Sequence, residues 1–241
     1  MLSRIMKCCL DIVLPPCCGV CGVSIPSEEY GNFCGRCGSE IQYLEPPFCR
    51  ICGIEVFAAS GQNPLCGECL SNPPPYSLAR SVVRYNSQVQ QLVHKLKYAR
   101  DLSVIPALIE LVNHYDLNEF SDINCVVVVP LHLRRLRQRG LNQAAVLARL
   151  FFADSLPLIK SDWLVRTRNT VPQTKLGKRA RRKNLKDAFQ VRAAVDFKGA
   201  GVCLVDDVFT TGTTVRECSK VIMASGASEV RVLTLARVSA L

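Results

Sequence analysis

Long hydrophobic runs are missing from this 241-residue chain. The longest, Cys125 to Leu131, falls far short of the about 20 apolar residues a membrane-spanning helix needs. The N-terminal stretch interrupts itself with Arg4, Lys7 and Asp11, and no small-residue cleavage site follows. It therefore does not read as a secretory leader. Both absences point to a cytoplasmic protein, a compartment in which thiols stay reduced. Acidic residues are scarce in one place only. Residues 126–200 carry seventeen Lys/Arg against four Asp/Glu, a net +13, whereas the whole chain is +10. Residues 1–76 are net −3, and 77–125 and 201–241 each balance. The basicity thus belongs to one segment, which favours an anionic partner over a generally basic surface. Aromatic side chains make up 7 % of the chain, and Phe189 is the one example between 164 and 190. That limits base stacking there. No acceptor pocket and no general base can be recognised, so transfer chemistry is not legible.

What is present is apolar residue, 49 % of the chain, enough for one α/β domain with a small appendage. Eleven of fourteen cysteines precede residue 70. Eight form four C-x-x-C pairs: Cys18/Cys21, Cys34/Cys37, Cys49/Cys52 and Cys66/Cys69. Spacers of twelve, eleven and thirteen residues leave room for short hairpins between knuckles. In a reducing compartment such pairs favour zinc, and eight thiolates suffice for two closed tetrahedral sites. A redox role would call for a βαβ setting that this segment lacks. Pairing of neighbours is the simpler arrangement, and cross-bracing is the alternative. Glycines 19, 22, 35, 38, 53 and 67 are expected to supply turn conformations, while Cys8, Cys9 and Cys17 are spare.

The run Asn72-Pro73-Pro74-Pro75 cannot continue a helix or a sheet ladder, so a border falls there, dividing 1–75 from 76–241. Beyond it helix and strand alternate. Val89, Leu92, Val93 and Leu96 have amphipathic helix spacing. Cys125–Val129 reads as a buried strand closed by Pro130. Leu141, Ala144, Ala145, Ala148 and Phe151 or Phe152 mark a second helix. Val202–Val205 is another strand, Val215, Cys218 and Ile222 another helix ending near Gly226, and Glu229–Ala236 a last strand. Buried strands separated by helices imply a parallel sheet. Residues 164–190 are too long and too charged for an ordinary connection.

The stretch Val202 to Thr214 runs from buried strand through Asp206-Asp207 to a Thr/Gly-rich turn and a helix. Amides at a helix N-terminus and threonine hydroxyls suit an anion. Gly212 lets the backbone come close to it. Two carboxylates would repel that anion but would accept hydrogen bonds from vicinal ribose hydroxyls. A ribose 5-phosphate needs both ends of such a device.

This stretch resembles the signature of type I phosphoribosyltransferases, which bind phosphoribosyl pyrophosphate (PRPP). The resemblance implies that Asp206 and Asp207 hold the ribose hydroxyls and that Thr210, Thr211, Gly212, Thr213 and Thr214 hold the 5-phosphate. It also implies that Pro130, Leu131 and His132, with Arg134 and Arg135, meet the pyrophosphate, Mg²⁺ accompanying the PRPP. On the residues alone, His132 reads equally well as an ordinary loop histidine. Tyr85 through Lys97-Tyr98, the Arg139-Gly140-Leu141-Asn142-Gln143 box, and the block from Arg166 through Gln173 to Phe189 resemble the ComF family of competence proteins, which includes the GntX proteins. Leu141 stands where that family has Phe. Together with the cysteine pairs the resemblance covers nearly the whole chain. It implies an α/β phosphoribosyltransferase-like domain behind a double zinc ribbon, with single-stranded DNA handled during natural transformation and other competence proteins as partners. Arg139, Asn142 and Gln143 could touch phosphate or a base edge, or cap a helix and brace the loop. Lys178, Arg179, Arg181, Arg182 and Lys183 are the candidates for tracking a nucleic-acid backbone. An active transferase with an unknown acceptor and a non-catalytic PRPP sensor are the rival readings.

Overall fold

The structure is a computed structural model and describes residues 16–25, 31–57, 64–99, 101–153, 158–168 and 185–239. In chain order its elements are two short helices, α1 (Gly35–Ser39) and α2 (Gly67–Ser71), then β1 (Leu78–Arg84), α3 (Ser87–His94) and α4 (Ile105–Asn113). There follow β2 (Cys125–Val128), α5 (Leu133–Arg139), α6 (Gln143–Phe151), β3 (Leu158–Lys160), β4 (Leu164–Arg166) and β5 (Phe189–Val191). The chain closes with β6 (Gly201–Phe209), α7 (Thr213–Ala224) and β7 (Glu229–Arg237). A π-helical turn, Lys95–Ala99, extends α3.

Five strands form a parallel sheet in the order β1-β7-β6-β2-β3. The expected strands are there, and their β-branched runs are buried on both faces: Val126, Val127, Val202, Leu204 and Val232 have no exposed surface. Alternate residues feed two cores. Val126, Val128, Cys203, Val205 and Leu233 join α3, α4 and α6 on one face. Val127, Val202, Leu204 and Val232 pack with Val215, Cys218 and Ile222 of α7 on the other. Cys125, Cys203 and Cys218 are buried thiols of these cores.

Several elements were not anticipated, among them α4, α5 and β3. Strand β1 carries buried Arg80 and Ser81 amid its apolar residues, which obscures its pattern. Ser81 Oγ lies 2.6 Å from Thr234 Oγ1, and Arg80 donates to both Glu119 carboxylate oxygens at 2.7 Å. Those partners make the polar burial tolerable. The segment 164–190 is also less irregular than expected, because β4 and β5 pair antiparallel at its base.

The cysteine segment shares both cores with the sheet. Cys18, Val20, Ile25 and Cys37 belong to the first core, and Cys49, Cys52 and Cys69 to the second. Between them the chain runs along the edge of β1. Leu44 N donates to Val82 O at 3.0 Å, Arg84 N to Gln42 O at 2.8 Å and Ala79 N to Ile51 O at 2.6 Å. An exposed sheet edge is thereby covered. The Asn72–Pro75 run is held as well: Arg216 Nη2 donates to Asn72 O at 2.7 Å. The molecule has the expected α/β class, a central parallel sheet of five strands flanked by helices and preceded by the cysteine segment.

Candidate functional site

Near its C-terminal end strand β6 brings Asp206 and Asp207 to the crevice, where strands of open parallel sheets place their ligands. Asp207 N–H donates to Asp206 Oδ1 at 2.9 Å, and Val208 N–H to Asp207 Oδ1 at 2.8 Å. Gly212, with φ +69°, turns the chain into α7. A Cβ there would sit 2.7 Å from the Phe209 ring. Glycine is required on both counts. Thr213 is buried, with its hydroxyl 2.8 Å from that of Thr211. Thr210, Thr211 and Thr214 line a cleft of about 1020 Å³ together with Asp206 and Asp207.

Cations line the same cleft. Lys97, on the π turn after α3, forms an ion pair with Asp207. Burial pulls the Lys97 ammonium down, but the Asp207 carboxylate outweighs it and the net shift is upward. Desolvation, then the charge of Asp207, pushes the Asp206 carboxyl up to about 7. Arg166 of β4 is buried, its guanidinium 5.4 Å from the Phe189 ring centroid. Burial and the charge of Arg135 lower it to about 10. Neither Lys97 nor Arg166 was expected in the site. Both lay within stretches that carried the family resemblance, but no local pattern connected them with Asp206 or Asp207.

Of the expected pyrophosphate residues, Pro130, Leu131 and Arg135 line the cleft. His132 and Arg134 do not lie on its lining. The expected loop is the start of α5, where His132 is the N-cap and its Nδ1 accepts from Arg134 N–H at 3.3 Å. Asn142 caps α6 by accepting from Ala144 N–H at 3.1 Å, and its Nδ2 donates to Val129 O at 3.1 Å. Its side chain caps and braces, and Asn142 also lines the cleft, as do Arg139 and Gln143. Arg139 lies over the Tyr98 ring at 5.1 Å and donates to Gln143 Oε1 at 3.3 Å. Gln143 is 2 % exposed, and its Nε2 has no hydrogen-bond partner among the described residues. Lys178, Arg179, Arg181, Arg182 and Lys183 lie outside the described residues, as do Cys8, Cys9 and Gln173.

The eight cysteines gather as neighbours, Cys18/Cys21/Cys34/Cys37 and Cys49/Cys52/Cys66/Cys69, with all sulfurs of each group within 4.8 Å of one another. This settles the pairing against cross-bracing. A tetrahedral zinc with Zn–S bonds of about 2.3 Å places sulfurs roughly 3.8 Å apart. Cys21 and Cys34 Sγ are 3.8 Å apart, and Cys52 and Cys66 Sγ 3.6 Å. Cys66 N–H also donates to Cys49 Sγ at 3.3 Å, a contact that steadies a thiolate ligand. Both groups fit zinc. Positive φ occurs at Gly22 and Gly53 of the expected turn glycines, whereas Gly35 and Gly67 begin short helices. At Gly53 a Cβ would meet Ala79 O at 2.3 Å, so glycine lets this knuckle press against β1. The second group reaches the cleft itself, which Cys52, Cys66 and Cys69 help to line.

Residues 9–70 match the double zinc ribbon domain. The chain is 31 % identical over 231 residues to the DNA utilization protein YhgH of Escherichia coli, covering 94 % of this chain and 99 % of that one. It is 30 % identical over 227 residues to competence protein F of Haemophilus influenzae, covering 91 % and 90 %. Among solved structures, the adenine phosphoribosyltransferase of Leishmania tarentolae shares 15 % identity over 58 % of this chain and 73 % of that one, with a TM-score of 0.32. A double zinc ribbon and end-to-end similarity to proteins of DNA utilization and competence have one common source: the chain belongs to the ComF/GntX family of competence proteins.

Proposed function

We propose that this protein binds PRPP, or a closely related sugar phosphate, in the β6–α7 cleft and handles single-stranded DNA during natural transformation. The observation that carries the proposal is the convergence on one cleft of Asp206, Asp207 and the threonine turn with Lys97, Arg135 and Arg166. Hydroxyl acceptors sit beside a phosphate cradle, and cations line the same cleft for further anionic groups. Mg²⁺ would accompany PRPP by screening its pyrophosphate. At about 1020 Å³ the cleft lies at the upper end of the size of small-ligand sites, about 300–1,000 Å³, which leaves room beyond a sugar phosphate. The DNA part of the proposal draws on the +13 segment and on the names of the relatives. The border at residue 75 parts the zinc-bearing stretch from the ligand-bearing stretch along the chain, although the two share the cores of the sheet, and a cytoplasmic location suits both. Other competence proteins are the macromolecular partners this role implies.

One observation favours transfer chemistry as a second reading. A carboxyl that titrates near neutrality, as Asp206 does, is poised to take a proton from an attacking acceptor. Pyrophosphate release from PRPP, measured with and without single-stranded DNA, separates the two readings. Release that depends on DNA identifies an acceptor, whereas tight binding without release leaves the cleft a ligand site. Calorimetry detecting no PRPP binding overturns the proposal.

A further inference from the structure

Arg237 ends β7 at the rim of the cleft and is 6 % exposed. Its Nη1 donates to the Cys52 carbonyl at 2.7 Å, and its Nη2 lies 3.8 Å from Cys52 Sγ. The guanidinium carbon is 4.2 Å from the centroid of the Phe209 ring. That ring occupies the space above Gly212 where a Cβ would otherwise lie, 2.7 Å from the nearest ring carbon. Tyr76 meets the same ring edge-on at 6.4 Å. Burying a cation is costly unless its surroundings favour the charge. A thiolate ligand on one side and an aromatic face on the other both do so.

We infer that Arg237 is a positioning residue that ties the phosphate turn to the second cysteine group. Through Phe209 and Gly212, the shape of residues 209–216 depends on that group holding its metal. Arg216, on the first turn of α7, supplies a parallel strut. It donates to Asn72 O and Pro73 O at 2.7 and 3.3 Å, on the chain just after Cys69. The second zinc site is therefore a wall of the cleft and a brace for its phosphate end. That the braced turn receives a phosphate rests on the function proposed above, whereas the tie between turn and metal group does not.

Hydrogen exchange of the full-length, zinc-loaded protein tests the tie without any ligand. In Arg237→Met, amides of 209–216 should exchange about tenfold faster or more, a local loosening, while those of α6 keep their protection. Arg237→Lys should recover most of the loss, because an ammonium can still face the ring and reach the Cys52 carbonyl. Phe209→Leu should show the same localised change and serves as the deciding variant if Arg237→Met does not fold. Unchanged exchange at 209–216 in the deciding variant overturns the inference, as does equal loosening of α6. A parallel titration with PRPP keeps the two readings apart. If wild type fails to bind, the proposed ligand falls while the exchange result still decides the tie. If it binds, Arg237→Met should bind at least about tenfold more weakly, roughly 1.4 kcal/mol.

Discussion

Asp206 and Asp207 are neighbours in sequence with different surroundings. Asp207 faces Lys97, whereas Asp206 is the carboxyl whose affinity for its proton rises. A carboxylate accepts hydrogen bonds from ribose hydroxyls and a protonated carboxyl does so poorly. Affinity for ribose 5-phosphate should therefore climb as pH passes upward through about 7. A phosphate whose second pKa is near 6 adds its own climb. Asp206→Asn separates the two, since it should remove the protein's inflection and leave the ligand's. The same group acts in the opposite sense on stability. Its proton is held more tightly in the folded chain than in the unfolded one, so stability falls as pH rises from about 4 to about 7 and then levels off. Chemical denaturation across that range should show the fall in wild type and lose it in Asp206→Asn. Lys97→Met should raise the Asp206 pKa further, because the variant takes away a nearby positive charge. Carboxyl titration followed by NMR in both proteins would show it, and an unmoved pKa would mean that Lys97 does not act on Asp206.

Among the elements, those with a continuous apolar pattern were legible and those that mix in polar residues were not. Val126–Val128 and Val202–Val205 announce themselves as buried parallel strands. Strand β1 does not, since the side-chain partners of Arg80 and Ser81 are Glu119 and Thr234, 39 and 153 residues away. Helix α5 was missed for the opposite reason. Its seven residues, Leu133–Arg139, carry four arginines and bury none, so no stripe betrays it, and His132 reads as a loop residue until its cap contact is visible. The turn at Gly212 was legible because its demand is local. Gly212→Ala combines a left-handed backbone with a clash against Phe209 and should destabilise the domain by about 1 kcal/mol or more. Denaturant unfolding checks this, and a loss smaller than that of an average surface substitution would mean that Phe209 moves aside freely. The charged segment is the other element with a prediction. Neutralising Arg179, Arg181, Arg182 and Lys183 together should flatten the salt dependence of single-stranded DNA binding by about two to three units, at roughly 0.7 per phosphate contact. An unchanged slope would move the DNA contacts to the Arg139 turn or the zinc ribbons.

At the scale of the whole molecule, the four C-x-x-C pairs were the plainest statement in the sequence, and their setting was the least predictable. Spacing indicates how many thiolates can meet, but not that one group joins the core under α4 while the other joins the core under α7. That placement depends on contacts far apart in the chain, such as Leu44 with Val82 and Cys52 with Arg237. Because the metal groups share the cores of the sheet, zinc removal should destabilise the whole molecule rather than one end. Metal analysis should find two zinc ions per chain. Chelation should lower the thermal midpoint of the α/β domain, where a separate module would leave it unchanged. The central claim, that Asp206, Asp207 and the threonine turn form a sugar-phosphate site, is tested most directly by calorimetric titration of PRPP with Mg²⁺ into wild type and Asp206→Ala/Asp207→Ala. Two lost charge-assisted hydrogen bonds of about 1.5–3 kcal/mol each should weaken binding by a few powers of ten, with zinc content and fold unchanged. Equal affinity in the two proteins would contradict it.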